Sequence, residues 1–225
     1  MTRENYALIK EYMKSCMADS AHDREHVRRV LYNALEIAAD MNDVDYDVLI
    51  AACLLHDIAR REQQLDPAIC HAQAGSEKAY VFLVKHGFDE AFAQQVRHCI
   101  ITHRYRKTTP PQSIEAKILF DADKLDAVGA TGIARTLMYK GAVSEPLYSL
   151  LDDGSVSDGK NDEVPSFFQE YIFKLQDLYD NFYTEKGRAL ALERQTAAKE
   201  FYSRLYNEVS ASNNSGRALL DTLLK

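Results

Sequence analysis

The chain has 225 residues, 46% of them apolar and 27% charged, so it is long enough to bury a sizeable core and has no signature of disorder. Its formal charge of -7 excludes the cation-rich surface that gives non-specific nucleic-acid binders their affinity, though not a site for a small anion. Nine Gly and five Pro are few turn residues for this length, which argues for long helices over the many short strands of a sandwich or barrel.

Hydrophobic spacing is helical almost throughout. A first amphipathic helix spans Asn5–Met17. A second spans His22–Met41, with Val27, Val30, Leu31, Ala34, Ile37 and Ala38 on one stripe and Asn42 as the stop. Asp45 is placed to cap a helix over Val48–Ala59 that is apolar nearly all round and so belongs at the centre of the fold. Asp66-Pro67 reads as a cap followed by proline at the first helical position, opening a helix that stops before His86-Gly87. Asp89 caps the next helix, which runs to about His103. After a polar loop over Arg104–Gln112, Ser113 starts another helix through Val128, broken by Gly129 and Gly132. The acidic run LLDDGSVSDGKNDEVP then reads as an exposed, mobile loop. Helices over Ser166–Tyr183 and Lys186–Val209 follow, with Ala211–Gly216 leading to a short terminal one. The expected class is all-α: a helical metal-binding core over residues 1–140, and an acidic loop with C-terminal helices over 141–225 packed on the same domain. The four cysteines (Cys16, Cys53, Cys70, Cys99) form no CxxC pair, and Cys53 and Cys99 read as small core residues. The first fourteen residues lack a signal peptide's continuous apolar stretch, and no segment reaches membrane-spanning length, so the expectation is a cytoplasmic protein with no membrane partner.

Chemistry enters at His56–Asp57, where an imidazole and a carboxylate end the most apolar helix of the chain. A charge in that setting is costly unless it is paired or coordinates a cation. Alone, the dipeptide also fits an Asp that ends a helix beside a hydrogen-bonded His. Two further positions widen the view. His26 sits among Val27 and Val30 at the edge of a core stripe, and Asp123 lies in a helix otherwise apolar at Ile118, Leu119, Leu125 and Val128. Three helices can thus direct two imidazoles and two carboxylates towards one point, a ligand set suited to Mn²⁺, Fe²⁺, Co²⁺, Ni²⁺ or Zn²⁺, with Mg²⁺ a further candidate.

The order His26…His56–Asp57…Asp123, with the words HDxxH, LLHDIA and FDADKLDAVGATGIAR, resembles the HD superfamily of metal-dependent phosphohydrolases. The long last phrase is similar to the bacterial subgroup that includes nucleotide pyrophosphohydrolases, and the likeness continues into TEKGRALALERQ. The resemblance implies a divalent ion on His26, His56, Asp57 and Asp123. It points to Asp123 over Asp121, since the family's ligand directly precedes a basic residue and a Leu. The two carboxylates are about 200° apart around a helix, which leaves Asp121 either orienting a ligand or lying on the helix surface. His71 and His103 stand where two-metal members of the superfamily place extra histidines; as alternatives they contact phosphate or sit on a polar face. His86 before Gly87 reads as a helix-ending cap, His98 as a structural or surface residue, and His22 as either a helix-start residue or a neighbour of the site. Lys124 stands where triphosphate-cleaving members place a phosphate-contacting Lys, and Arg135 is a second candidate cation. Arg104 is weaker, while Arg28, Arg29, Arg106 and Lys107 read as solvated. The implied reaction is attack of a metal-activated water on a nucleotide phosphate, favoured as cleavage of a (deoxy)nucleoside triphosphate to monophosphate and pyrophosphate. Asp57, His71 or His103 could take the water's proton. The alternative is a catalytically silent module that binds nucleotide or metal for regulation. An oligomer is compatible with either.

Overall fold

The computed structural model describes residues 1–17, 21–104, 109–160 and 162–224, the side chains of 21–23 excepted; the readings of His22, Arg106 and Lys107 lie outside what is described. Among the described residues the fold is all-α, its sole extended pairing an isolated bridge between Leu150 and Val156. None of the described helices is long and apolar enough to cross a membrane.

Two compact units are present. The first comprises Met1–Asp126 with Phe182–Gly187, and the second Ala127–Asn181 with Arg188–Lys225. The division therefore falls at Asp126 rather than at residue 140, and a short downstream segment returns to the first unit.

In the first unit, α1 (Arg3–Cys16), α2 (Ala21–Ala38), α3 (Tyr46–Leu55), α4 (Arg60–Leu65), α5 (His71–Lys85), α6 (Glu90–Thr102) and α7 (Ile114–Leu125) follow in order. Helix α3 is the hub, touching α1, α2, α5, α6 and α7. Its sequence explains this, because Val48, Leu49 and all five residues of Ala51–Leu55 are buried, leaving no polar face to solvate. Asp45 caps it as expected, accepting from the backbone amides of Asp47 (2.9 Å) and Val48 (3.1 Å). Asp89 and Ser113 cap α6 and α7 in the same way.

The segment 56–70 departs from expectation. Helix α3 stops at Leu55, the turn 56–59 redirects the chain, and the short α4 intervenes. Asp66 then ends α4 instead of opening the next helix, which starts only at His71. The proline signal was real but marked a loop. The consequence is that His56 and Asp57 lie on a turn, and His71 lies at the first position of α5.

The second unit holds α8 (Gly129–Ala142), α9 (Phe167–Phe173), a 3₁₀ turn (Leu175–Asp180) and most of α10 (Glu185–Leu223). Gly129, at φ +65°, starts α8 rather than ending a helix, and Gly132 lies inside it. Helix α10 is continuous for 39 residues, with no break at Ala211–Gly216. The acidic run is not a free loop. Val156 and Ser157 are buried, and the segment is fastened to α10 by bonds from Tyr202 Oη to Asp158 O (2.5 Å) and from Asn213 Nδ2 to Gly154 O (3.0 Å). Its backbone-to-side-chain ties are invisible to a composition-based reading. The core it joins is aromatic: Phe167, Phe168 and Tyr171 with Val156, Ile133, Leu175 and Ala198.

Candidate metal centre

Four helices and one turn of the first unit bring the candidate ligands together. His26 comes from the middle of α2, His56 and Asp57 from the turn after α3, His71 from the start of α5, His103 from the residue capping α6, and Asp123 from the last turn of α7. His26, His56, His71 and His103 are all buried, and Asp57 is nearly so. The Asp123 side chain remains 30% exposed, which leaves that side of the cluster accessible.

The donors fall into two groups. Ligand atoms of His26, His56 and Asp123 lie within 4.8 Å of one another, and so do those of Asp57, His71 and His103. Asp57 faces both. Its Oδ2 is 3.6 Å from His26 Nε2 and 3.8 Å from His56 Nε2, whereas its Oδ1 is 3.2 Å from His71 Nε2 and 3.8 Å from His103 Nε2. One carboxylate thus joins two half-sites. In the first, His26 Nε2 is also 3.2 Å from Asp123 Oδ1.

The surroundings fix which nitrogen each ring offers. His56 Nδ1 faces Cys53 O at 2.8 Å, and His103 Nδ1 faces Ile100 O at 2.6 Å. His26 Nδ1 faces Asp126 Oδ2 at 2.7 Å, and His71 Nδ1 faces Gln63 Oε1 at 2.5 Å. Each Nδ1 meets an acceptor and therefore carries a proton, so Nε2 is the nitrogen that each ring turns inward and can offer to a metal. The inward nitrogens are close: His26 to His56 at 3.2 Å and His71 to His103 at 3.3 Å. Two ring nitrogens at that separation need a proton or a metal cation between them. Outer acceptors on Nδ1 with Nε2 aimed at a common centre are the arrangement that metal-binding histidines adopt. The residues present fit a divalent ion.

The electrostatics agree. Burial opposes charge on His26, but the hydrogen bonds it donates to Asp123 and Asp126, with the Asp57 charge, push its pKa up to about 9. Burial alone would raise the carboxyls of Asp57 and Asp123. The imidazoles around them, joined at Asp57 by Arg60, hold both well below the usual carboxylate range. Burial lowers His56, and pushes His71 down to about 3, so these rings are neutral donors. Without an ion, a proton on His26 only partly offsets the carboxylates of Asp57 and Asp123, and the remaining charge deficit is one that a divalent cation corrects.

Other expected residues fall in different places. Asp121 is fully buried and turned away from the cluster. It accepts from Tyr183 N (2.9 and 3.1 Å), Thr184 N (2.7 Å) and Thr184 Oγ1 (2.6 Å), and so fastens the Phe182–Gly187 segment to α7. It is neither a surface charge nor an orienter of a ligand. A Cβ on Gly187 would lie 2.8 Å from Asp121 Oδ2 and 2.7 Å from Thr184 Oγ1, so this clasp accounts for the glycine of TEKG. Lys124 is partly buried, its Nζ 4.9 Å from the Phe120 ring centre and 5.6 Å from that of Phe182, and burial lowers its pKa to about 8. Arg135 belongs to α8 of the second unit. His86 caps α5, donating from Nδ1 to Phe82 O at 2.7 Å, and His98 is exposed.

Four contributors, Arg29, Asp126, Arg60 and Gln63, escaped sequence reasoning. Arg29 is not a free surface cation: its Nε and Nη2 grip Asp126 at 2.5 and 3.0 Å, and Asp126 in turn holds His26. Gln63 and Arg60, both on α4, stand beside His71. Arg29 follows His26 by three residues and Asp126 follows Asp123 by three, a same-face spacing that signalled the first pair. Arg28 is exposed and pairs with Glu25, as a solvated residue should.

Comparison with known proteins agrees with this geometry. The HD domain family model matches residues 24–128. A curated relative, the uncharacterised protein YpgQ of Bacillus subtilis, is 31% identical over 207 residues, covering 89% of this chain and 92% of its own length. This chain belongs to the HD-domain family. With the family comes its class, the metal-dependent phosphohydrolases. Among solved structures, a predicted HD superfamily hydrolase from an uncultured Thermotogales bacterium is 32% identical, with a TM-score of 0.58 over 92% of this chain and 91% of that one. Bacillus subtilis YpgQ in complex with ADP is 28% identical, with a TM-score of 0.68 over 91% and 95% of the two chains.

Proposed function

We propose that this HD-domain protein is a nucleotide phosphohydrolase that takes two divalent ions, and that its preferred reaction cleaves a (deoxy)nucleoside triphosphate to monophosphate and pyrophosphate. The observation that carries the reading is Asp57, whose two carboxylate oxygens each face a separate group of inward-turned imidazoles. Four imidazoles and two carboxylates favour Mn²⁺, Fe²⁺, Co²⁺, Ni²⁺ or Zn²⁺ over Mg²⁺, which prefers oxygen donors. A bound divalent ion supplies polarisation of a phosphoryl oxygen and a more acidic attacking water.

The protein's own part is placement and charge. His26, His56 and Asp123 would hold one ion and His71 and His103 a second, with one carboxylate oxygen of Asp57 available to each. With their Nε2 atoms so committed, His71 and His103 act as ligands and not as proton carriers. Lys124, one residue beyond Asp123 and steadied by Phe120 and Phe182, offers its ammonium to a substrate phosphate. The nucleotide is supported by the ADP complex of the related YpgQ.

The test is a panel of nucleoside mono-, di- and triphosphates with the metal-stripped protein reloaded with Mn²⁺, Co²⁺ or Ni²⁺. Pyrophosphate released from triphosphates is the expected product. Nucleotide binding without turnover under any metal would replace this reading with that of a silent regulatory module.

A further inference from the structure

The two half-sites are alike in one histidine and different in the other. His56 and His103 are each backed by a main-chain carbonyl, of Cys53 (2.8 Å) and Ile100 (2.6 Å). The contrast lies between His26 and His71. Behind His26 stands the carboxylate of Asp126 at 2.7 Å, itself fully buried and gripped by Arg29 through two bonds. Behind His71 stands the neutral amide of Gln63 at 2.5 Å. Arg60 adds to the difference. Its Nη1 is 3.3 Å from His71 Nδ1 and 3.4 Å from Nε2, near-equal distances that set a cation against the ring rather than at either end of it.

A carboxylate on Nδ1–H makes an imidazole a stronger donor and locks its orientation, whereas an amide does so less and an adjacent guanidinium repels an incoming cation. The carboxylate count points the same way: the first half-site has Asp123 and one oxygen of Asp57, the second only the other oxygen of Asp57.

We infer that the two ions are held unequally: a tightly bound ion at His26, His56 and Asp123, secured from behind by Asp126 and Arg29, and a weaker, exchangeable ion at His71 and His103, set by Gln63 and Arg60. Asp126 and Gln63 are positioning residues, each acting on one ion through one histidine. Occupancy of the weaker half-site then follows the ambient metal concentration, and with it the fraction of protein holding both ions. This rests on the two-ion reading above.

The experiment is calorimetric titration of the metal-stripped full chain with Mn²⁺ alone. Two steps of one ion each are expected, separated by at least about tenfold in affinity. Asp126→Asn should weaken the tighter step about 10–100-fold and leave the other in place. Gln63→Glu should tighten the weaker step by on the order of tenfold, a gain that misfolding cannot produce. Unmoved steps in both variants, or Asp126→Asn acting on the weaker step, would overturn the assignment while two ions per chain still bound. A single ion per chain at saturating Mn²⁺ would instead remove the two-ion reading beneath it, a distinguishable failure that overturns both.

Discussion

Replacing Asp121 with asparagine separates the two carboxylates of DAD by what they do. In the native clasp Oδ2 receives Thr184 N at 2.7 Å and Thr184 Oγ1 at 2.6 Å, while Tyr183 N is shared between Oδ1 at 2.9 Å and Oδ2 at 3.1 Å. An asparagine of the same shape keeps one carbonyl oxygen. Its better orientation leaves that oxygen on Thr184 and turns the amide NH₂ towards the Tyr183 N–H, donor against donor. One buried bond is lost and the others lose their charge. Each such loss costs about 1–3 kcal/mol, offset by relief from burying a charge that burial already disfavours, so a net loss of about 2–3 kcal/mol is expected. For a chain of this size that corresponds to a melting temperature lower by roughly 5–10 °C. The measurement is thermal unfolding in EDTA, which removes any contribution from bound ions, paired with elemental analysis of the Mn²⁺-loaded protein. Asp121→Asn should retain wild-type metal content, whereas Asp123→Asn should lose the ion of the first half-site. A shift under 2 °C, or equal metal loss in the two variants, would refute this division of labour.

Other outcomes follow from the same geometry. Asp57→Ala should strip both ions and abolish hydrolysis while leaving helical content near wild type by circular dichroism; His56→Ala should abolish hydrolysis but still bind one ion, and retained turnover in either variant would show the centre to be misassigned. Lys124→Ala should raise KM for a triphosphate about tenfold or more, through loss of one charge-assisted contact, without changing Mn²⁺ affinity; parallel loss of both would place the lysine's role elsewhere. Gly159→Ala should destabilise the second unit by more than about 2 kcal/mol in urea unfolding, because φ there is +91° and a Cβ would lie 2.4 Å from the Phe168 carbonyl carbon. Wild-type stability in that variant would mean that the acidic segment is as loose as its composition suggests.

The sequence by itself determined the helical class and singled out residues that the fold gathers at one centre. Helical period is a local property, written into the turns of α2, α6 and α7, and the caps Asp45, Asp89 and Ser113 act within three residues of themselves. The ordered word His26, His56–Asp57, Asp123 was legible because those residue types are costly among apolar neighbours without a partner. What only the tertiary structure decided is how donors distant in the chain divide among partners. The two oxygens of Asp57 face different histidine pairs, Asp121 turns to Thr184 while Asp123 turns to His26, and Arg29 reaches Asp126 across 97 residues. The same holds for the acidic run, which composition marks as loop and α10 pins in place through Tyr202 and Asn213. Period and capping are settled by bonds between near neighbours, but the direction of a buried carboxylate is settled by whichever donors the packed helices bring to it.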